Sequence, residues 1–493
     1  MRVFTLMSLF VLIAGNATAP MEAEGHEPLQ LGSRLELFVD DFLIERTQGL
    51  TKRLHAPVSA GKFLELNKPW EGNTCFYTTV FRDGDRYLMY YRGSSDPTAT
   101  PPSMLEAGEE VIPKHPEFGC VLVSSDGIRW ERPSVGIYEF NGSRDNNIVW
   151  TGRGTHNLAP MLDPKPGVPE SERFKALCGG PLLALRSADG FRWEKMQEEP
   201  VISDGAFDSL NIPVWDHVRG RYLAIYRDFT EGVRTIKIAE SDDFLNWTPG
   251  EWGDFGDAPL EHLYTNGTAP YIRAPHIFLG FPKRFHPWRN QYPDSPRPGI
   301  SDAVLMSSRD GYHWHRFLEA FVRPGRDPRN WLNRNNLLAA GTVATAPDEL
   351  SLYMLRNYKA PSIYLERMVL RTDGFVSMHA GHGGGEFVTR PLVFEGSNLV
   401  LNFATSAAGS IHVEIQDAQG QALPSFDLQE SPLIWGDEIE YVVRWERDLA
   451  ATTSDNPLRR IAGKPVKLRF VMKDADRRPR RRLPAGGPAR RPG

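Results

Sequence analysis

The sequence predicts an all-β protein, a five-bladed β-propeller followed by a C-terminal antiparallel β-sandwich. Three observations lead to this prediction: a turn motif that returns five times, short aromatic-rich segments typical of strands, and a change of pattern after about residue 381. Helical periodicity is nearly absent from the chain, so sheets are expected to build both parts.

The turn motif has the pattern Ser-x-Asp-x-x-x-Trp and is first seen from Ser124 to Trp130. Its acidic residue recurs at positions 126, 189, 243, 310 and 373, and the fifth copy has Ser377 in place of the Trp. Asp accepts hydrogen bonds from backbone N–H groups of a tight turn, Gly adopts positive φ, and Trp packs between sheets. A repeat of about sixty residues can hold a four-stranded blade, so five copies predict a five-bladed ring.

Each repeat also contains an aromatic-rich strand ahead of its motif, and the residues Leu35 to Ile44 read as a further strand that would close the ring. Beyond residue 381, four segments alternate apolar and polar residues as in a small antiparallel sandwich. The aromatic-rich strands are predicted over 86–92, 173–178, 221–227, 276–281 and 352–356, and the sandwich strands over 399–403, 410–415, 440–445 and 466–471. The predicted parts are a signal peptide over 1–19, the propeller over 35–381, the sandwich over 386–476 and a disordered Arg- and Pro-rich tail over 477–493.

The first nineteen residues have the layout of a secretory signal. Arg2 is followed by an apolar run from Phe4 to Ala14 that is too short to span a bilayer, and then by the small-residue cleavage pattern Ala17-Thr18-Ala19. We expect a secreted or periplasmic protein without an integral membrane segment. Cys75, Cys120 and Cys178 lie in apolar strand-like runs and are expected to be buried thiols.

The charge balance excludes one class of partner. A formal net charge of −5 gives no electrostatic basis for nucleic-acid binding, which needs a basic face. An oligosaccharide or polysaccharide fits better, because such a ligand is rich in hydroxyl groups. No cofactor is expected, and nothing in the sequence indicates a central cation or an oligomeric state.

In a propeller the innermost strand of every blade starts at one mouth of the central channel, which we call the funnel. Polar residues head these strands in every repeat. Glu71 and Asp208 are the first candidates for catalytic carboxyl groups, and Glu117 is a third, because glycoside hydrolysis needs two carboxyls on either side of the bond. Positive side chains nearby would tune their protonation. The predicted substrate-binding residues are Asn73, Arg92, His156, Asn157, Asn211, Arg227, Asp228, Asn266, His286, Asp302, Asn335 and Asn336.

The motif, most plainly Ser241 to Trp247, resembles the blade motif of the five-bladed propeller glycoside hydrolases of families 43 and 32. The following sandwich is similar to the arrangement in the invertase-like group, and Gly385 to Phe394 resembles secreted proteins of planctomycete-type bacteria. The resemblance implies carboxylates at the heads of the inner strands of the first three blades. Glu71 and Asp208 match the first and third, whereas His156-Asn157 stands where the family has Asp. The turn is also similar to the Asp-box of sialidases, with its Asp one residue closer to the Trp.

The leading interpretation is a secreted glycoside hydrolase acting on a plant or algal type of glycan. One alternative is a non-catalytic carbohydrate-binding propeller, which would not need two carboxyls at a fixed separation. Another is an interaction platform, which predicts a funnel plugged by side chains. A separation of about 5–10 Å between two carboxyls in an open funnel favours the enzyme.

Overall fold

A computed structural model describes residues 27–445 and 457–479 of the chain. The predicted signal peptide and most of the predicted tail lie outside the described residues. The described chain is built from β-strands and turns, with one α-helix of four residues, α1 (Leu458–Ile461), and five single turns of 3-10 helix. None of the described helices is long and apolar enough to cross a membrane.

The first strands of the chain do not belong to the first blade. Three of them join the C-terminal sheet, and the fourth forms the outer edge of blade five. These strands are β1 (Leu29–Gly32), β2 (Ile44–Gln48), β3 (Leu50–Leu54) and β4 (Val58–Glu65).

Blades one to three are four-stranded antiparallel sheets whose strands follow the chain from the axis outward. Blade one has β5 (Phe76–Asp83), β6 (Arg86–Gly93), β7 (Phe118–Ser124) and β8 (Ile148–Trp150). Blade two has β9 (Ala159–Leu162), β10 (Phe174–Gly179), β11 (Leu182–Ser187) and β12 (Glu194–Lys195). Blade three has β13 (Ile212–Asp216), β14 (Arg221–Thr230), β15 (Val233–Ser241) and β16 (Glu251–Trp252).

Blade four carries an extra three-stranded sheet. That sheet contains β17 (His262–Leu263), β20 (Lys283–His286) and β21 (Ile300–Ala303), whereas the blade itself contains β18 (Ala269–Tyr271), β19 (Ala274–Gly280), β22 (Met306–Ser308) and β23 (Trp314–Arg316). Blade five has β24 (Leu337–Leu338) and β25 (Val343–Ala346) at the axis, then β26 (Glu349–Arg356) and β27 (Tyr364–Arg371), with β4 outermost.

The five-bladed ring and the five aromatic-rich strands are therefore confirmed, as β6, β10, β14, β19 and β26. The predicted closing strand is wrong in position. Leu35, Leu37 and Val39 are buried against blades four and five, but β4 is the strand that pairs with β27 and closes the ring. Leu35, Leu37 and Val39 join the propeller core while Phe38 joins the C-terminal core, a period of two that is typical of a strand, although most of this segment makes no ladder.

Among the described residues, the C-terminal part is one nine-stranded sheet around its own apolar core, which includes Phe387, Phe403, Trp445 and Phe470. The first three strands of the chain complete it, which the sequence did not indicate. The last strand also passes residue 476, where the disordered tail was expected to begin. The other six strands of this sheet are β28 (Val376–Ala380), β29 (Gly385–Thr389), β30 (Leu392–Phe394), β31 (Leu399–Asp417), β32 (Asp437–Val443) and β33 (Val466–Pro479).

The repeated motif locks the blades together. In blade one, the Asp126 carboxylate accepts hydrogen bonds from the backbone N–H groups of residues 128 and 129, both at 2.8 Å, and these bonds lower its pKa. Trp130 Nε1 donates to the carbonyl of Gly127. That carbonyl also accepts the hydroxyl of Tyr353 from blade five, so the motif joins neighbouring sheets. The three cysteines are buried and free.

Candidate functional site

The funnel holds three titratable side chains in one hydrogen-bonded row. His156 Nδ1 lies 2.9 Å from Glu117 Oε2, and His156 Nε2 lies 2.9 Å from Asp208 Oδ1. His156 and Asp208 head the inner strands β9 and β13, and Glu117 heads β7, the third strand of blade one. All three reach solvent, with 33% of the Glu117 side chain, 37% of His156 and 51% of Asp208 exposed.

The row places the proton on the imidazole. Burial alone would lower the pKa of His156, but its hydrogen bonds to Asp208 and Glu117 raise it above the ordinary value. Burial would raise the pKa of Asp208, but the His156 hydrogen bond and the charge of Arg334 hold it well below its usual range. The pKa of Glu117 is lowered in the same way by His156 and Arg92. Both carboxylates are therefore ionised at neutral pH.

Two further residues of blade one support the row. Arg92 Nη1 lies 2.9 Å from His156 Nδ1 and 3.4 Å from Glu117 Oε1, while Arg92 Nη2 donates to the carbonyl of Thr74. Tyr77 donates its hydroxyl to Asp208 Oδ1 at 3.2 Å and contacts the His156 ring edge-on. Arg92 was predicted at this site, and Tyr77 was not.

Tyr77 has a backbone conformation that large side chains rarely adopt. Its φ is +57°, although it is buried, and the pairing of β5 with β6 shifts register between Phe76 and Thr79. Such an irregularity costs free energy and redirects a side chain. Here the redirected side chain is the one that contacts Asp208.

Two buried asparagines hold the segment that carries Asp208. Asn157 Nδ2 donates to the carbonyls of Phe207 and Ser209, the residues on either side of Asp208. Asn211 Nδ2 donates to the same two carbonyls, both at 3.0 Å. Both asparagines were predicted to bind substrate, but their amides are used within the protein. They are positioning residues for Asp208.

The other side of Asp208 is lined by residues, several of them basic, that the sequence did not predict at the site. Arg334 Nη2 approaches Asp208 Oδ2 at 3.7 Å, and the Tyr264 hydroxyl donates to Asp208 Oδ1 at 3.4 Å. Lys283 is fully buried, with Nζ 4.1 Å from the centre of the Tyr264 ring and 4.4 Å from that of Phe76. Burial and the neighbouring Arg334 lower the pKa of Lys283 well below its ordinary value.

Glu71 does not reach the funnel, which argues against the predicted catalytic role. Its side chain is 0% exposed, and Arg132 binds both carboxylate oxygens at 2.8 Å. Tyr91 and the backbone N–H of Lys68 donate to the same carboxylate. A carboxylate enclosed by such donors stabilises a blade edge and has no path to a substrate.

Most of the other predicted binding residues also serve the scaffold. The strand-head asparagines are buried, and their amides are bonded to backbone groups of neighbouring strands and loops, because an amide side chain pairs with peptide groups as well as with a sugar. Asp302 forms a two-pronged ion pair with Arg284, and Asp228 pairs with Lys237. Arg227 Nε donates to the carbonyl of Ala206. These asparagines are Asn73, Asn266, Asn335 and Asn336.

His286 is half-buried beside the exposed Trp288, with ring centres 5.4 Å apart. It belongs to β20, the strand that begins with Lys283. Among the described residues, the structure records no contact between His286 and the Glu117–His156–Asp208 row. Its predicted role in binding therefore stays a prediction. Within residues 27–445 and 457–479, no three His, Cys, Asp or Glu side chains converge as a metal site would require.

The opposite mouth of the channel has a different character. A cavity of about 600 Å³ opens there between the inner strands, lined mainly by residues such as Val80, Pro213, Val214 and Pro270. Its lining holds no carboxylate. Among the described residues, this mouth of the channel therefore offers no paired carboxylates.

No family model and no curated protein matches the chain. Among solved structures, a complex of BT0996 with RGII has 12% identity and a TM-score of 0.43, over 64% of this chain and 92% of that one. A protein described as a glycoside hydrolase has 13% identity and a TM-score of 0.42 over the same shares. The β-1,2-mannobiose phosphorylase from Listeria innocua has 12% identity and a TM-score of 0.38, over 66% and 97%. Likenesses this distant do not indicate which reaction or sugar belongs to this chain.

Proposed function

We propose that the protein cleaves glycosidic bonds of a glycan bound in the funnel, with Glu117 and Asp208 as its two carboxyl groups. The observation that carries this proposal is the row in which one imidazole ring separates the two carboxylates. Two hydrogen bonds and one ring give a separation in the range of roughly 6.5–9.5 Å, which is typical of the two carboxyls of inverting glycosidases.

The roles follow from exposure and charge. Asp208 is the more exposed carboxylate and stays ionised beside Arg334, so it is the base that takes a proton from the attacking water. Glu117 is the acid that protonates the leaving oxygen. Because its own pKa is lowered, its proton must come from His156, along the hydrogen bond from Nδ1 to Oε2. After product release, Asp208 loses the proton taken from water to solvent, and His156 Nδ1 takes a proton from solvent, because Nε2 has kept its own proton throughout.

The test is release of reducing sugar from a panel of plant and algal glycans by the wild type, Asp208→Asn and Glu117→Gln. Loss of one catalytic carboxyl is expected to reduce turnover by about a hundredfold or more. Asp242→Asn is the matched control, because Asp242 is exposed and follows β15 at the end remote from the strand heads. Turnover that survives both funnel substitutions would refute the proposed roles.

A non-catalytic carbohydrate-binding propeller is the second candidate. The observation that favours it is that both funnel carboxylates are already ionised, whereas a glycosidase acid must be protonated. Binding without turnover anywhere on the panel, unchanged in Glu117→Gln, would support this function over the first.

A further inference from the structure

A small basic pocket opens next to Asp208, and His156 is not among its lining residues. Its volume is about 130 Å³. It lies between the β20–β21 connection of blade four and the turn that precedes β24 of blade five. Four of its eight lining residues are basic and none is acidic. The lining residues are Arg234, Tyr264, Lys283, Phe285, Arg297, Pro298, Asn333 and Arg334.

Charged atoms in this pocket are buried without partners. Lys283 Nζ and Arg234 Nε have no hydrogen-bond acceptor within the described residues. Lys283 is 0% exposed, and the faces of two aromatic rings, not carboxylates, surround its ammonium group. A buried cation without an acceptor is costly, and burial with the neighbouring Arg334 lowers the pKa of Lys283, so its protonated form is disfavoured until an anion is bound. An anion would relieve that cost.

The pocket adjoins the proposed reaction centre. Tyr264 and Arg334 line the pocket and also contact Asp208, at 3.4 and 3.7 Å. A group bound there is thus held within one side-chain length of the proposed base. Such closeness fits a substituent of the reacting sugar unit better than an independent ligand.

We propose that the substrate is an acidic glycan, whose carboxylate or sulfate ester occupies the pocket formed by Arg234, Lys283, Arg297 and Arg334. The inference rests on the proposed function and names its substrate class. Planar guanidinium groups bind oxyanions in two-pronged fashion, and an ammonium group adds a compact charge. Neutral hydroxyl groups would bring no charge to this basic lining, in which Arg334 is the one residue that forms an ion pair among the described residues.

The test measures binding to the full-length protein by calorimetry, so that it does not depend on turnover. The probes are oligogalacturonate, its methyl-esterified form, a carrageenan oligosaccharide with its desulfated form, and inorganic phosphate alone. We expect at least one acidic probe to bind about tenfold or more tightly than its neutral partner, with an affinity that falls as salt is raised.

The variants are Arg334→Gln and Arg234→Gln, with Arg192→Gln as the matched control. Arg334 is chosen over the buried Lys283 because 21% of its side chain is exposed, so its loss spares the core. Arg192 is an exposed arginine on the blade-two turn, where it pairs with Asp189. Each pocket variant should weaken binding of the acidic probe about tenfold or more, and the control should not.

Equal affinity for acidic and neutral probes, or failure of every acidic probe to bind, would overturn the inference. So would phosphate that binds at this pocket as tightly as any acidic oligosaccharide, because the site would then serve a free ion. Asp208→Asn separates the two proposals. If Asp208→Asn binds the acidic probe at least as tightly as wild type and also turns over as fast, the pocket is supported and the catalytic role of Asp208 is rejected. If the wild type cleaves glycans but binds acidic and neutral probes equally, the pocket proposal is rejected and the proposed function is retained.

Discussion

His156 is the residue on which the protonation of the funnel depends. It lies between two carboxylates that stay ionised, and it is the group of the row whose pKa is raised. The proton needed by the leaving group is therefore held on the His156 ring and passes to the Glu117 carboxyl. The alkaline limb of the pH–rate profile should reflect the pKa of the His156 imidazole.

We predict that kcat/KM falls as pH rises through the pKa of His156, which lies above its ordinary value of 6.5. Because the folded-state pKa is raised, the protonated ring also stabilises the fold at low pH, and this contribution is lost as pH rises through that pKa. His156→Gln should lose most activity, because Glu117 then lacks its proton donor, and should lower Tm more at pH 5 than at pH 9 relative to wild type. The wild-type pH–rate profile and the pH–Tm profiles of both proteins measure this, and a variant as active as wild type at high and low pH would contradict it.

The short segments before the inner strands decide which residues face the funnel. Asn157 ends a single turn of 3-10 helix, Thr155–Asn157, that also presents His156. Its amide then holds both carbonyls flanking Asp208. One asparagine thereby sets the distance between the imidazole and a carboxylate from the next blade.

Asn157→Ala is expected to lower kcat/KM about tenfold or more and to shift the pH–rate profile, because Asp208 would lose its fixed distance from His156. Asn266→Ala is the matched control. Asn266 heads the inner strand of blade four and is equally buried, but it bonds Ile225 and Thr268 and not the Asp208 segment. Both variants should lose Tm, whereas only Asn157→Ala should alter the pH profile. Identical profiles would reduce Asn157 to a purely structural role.

The repeated turn connects blades as well as strands. Gly127 has φ of +71°, and a methyl group added there would lie 2.9 Å from Val343 Cγ1 of blade five. Gly142 has φ of +79°, but nothing lies within 4 Å of such a methyl group. The two glycines share a backbone requirement and differ in their neighbours.

We predict that Gly142→Ala lowers the free energy of unfolding by about 1–2 kcal/mol through backbone strain alone. Gly127→Ala should cost about 1–3 kcal/mol more, because the added methyl group must push two blades apart. Urea denaturation of the two variants measures the difference. Equal costs would mean that the contact between blades one and five is loose at this turn.

At the scale of the whole molecule, the N-terminal segment joins the two parts of the chain. Its strands β1 to β3 complete the C-terminal sheet, while β4 closes the propeller. Arg309 of blade four binds Asp40 and Glu36, which lie between β1 and β2. Neither part keeps a complete sheet without this segment.

We therefore expect the propeller and sandwich to unfold in one cooperative transition, although their apolar cores are separate clusters. Calorimetry should show one peak whose calorimetric and van't Hoff enthalpies agree. Deleting residues 27–57 should lower the Tm of the propeller even though β4 is retained, because the buried Leu35, Leu37 and Val39 leave its surface. Two resolved peaks in the full chain would contradict this coupling.

The sequence predicted much of the fold because the relevant signals are local. An Asp–Gly turn followed by Trp, and a run such as Arg86 to Gly93, specify a hairpin and a strand from neighbouring residues alone. The closing strand was misplaced because ring closure pairs residues about three hundred positions apart, as Ser59 and Met368 are. No local pattern at Val58–Glu65 distinguishes an outer blade strand from any other strand.

The site was predicted in part. Counting strands back from each Trp brought Glu117, His156, Asp208 and Arg92 into one funnel, and the structure joins them. Glu71 satisfied the same count, but its side chain turns into the blade toward Arg132. Lys283 and Arg334 carried no distinguishing sequence signal, because a lysine or arginine beside a strand is usually a solvent-exposed residue.

By itself the sequence determined the class of the fold, the number of blades and the end of the ring at which polar side chains collect. Each of these depends on periodicity and turn chemistry, which are properties of adjacent residues. Only the tertiary structure decided which polar side chains face the channel and which are hydrogen-bonded or ion-paired within the protein. That choice depends on side-chain direction and on partners from other blades, as with Glu71 held by Arg132 and Asp208 held beside His156. A carboxyl group that precedes an inner strand is therefore structural at Glu71 and open to a ligand at Asp208.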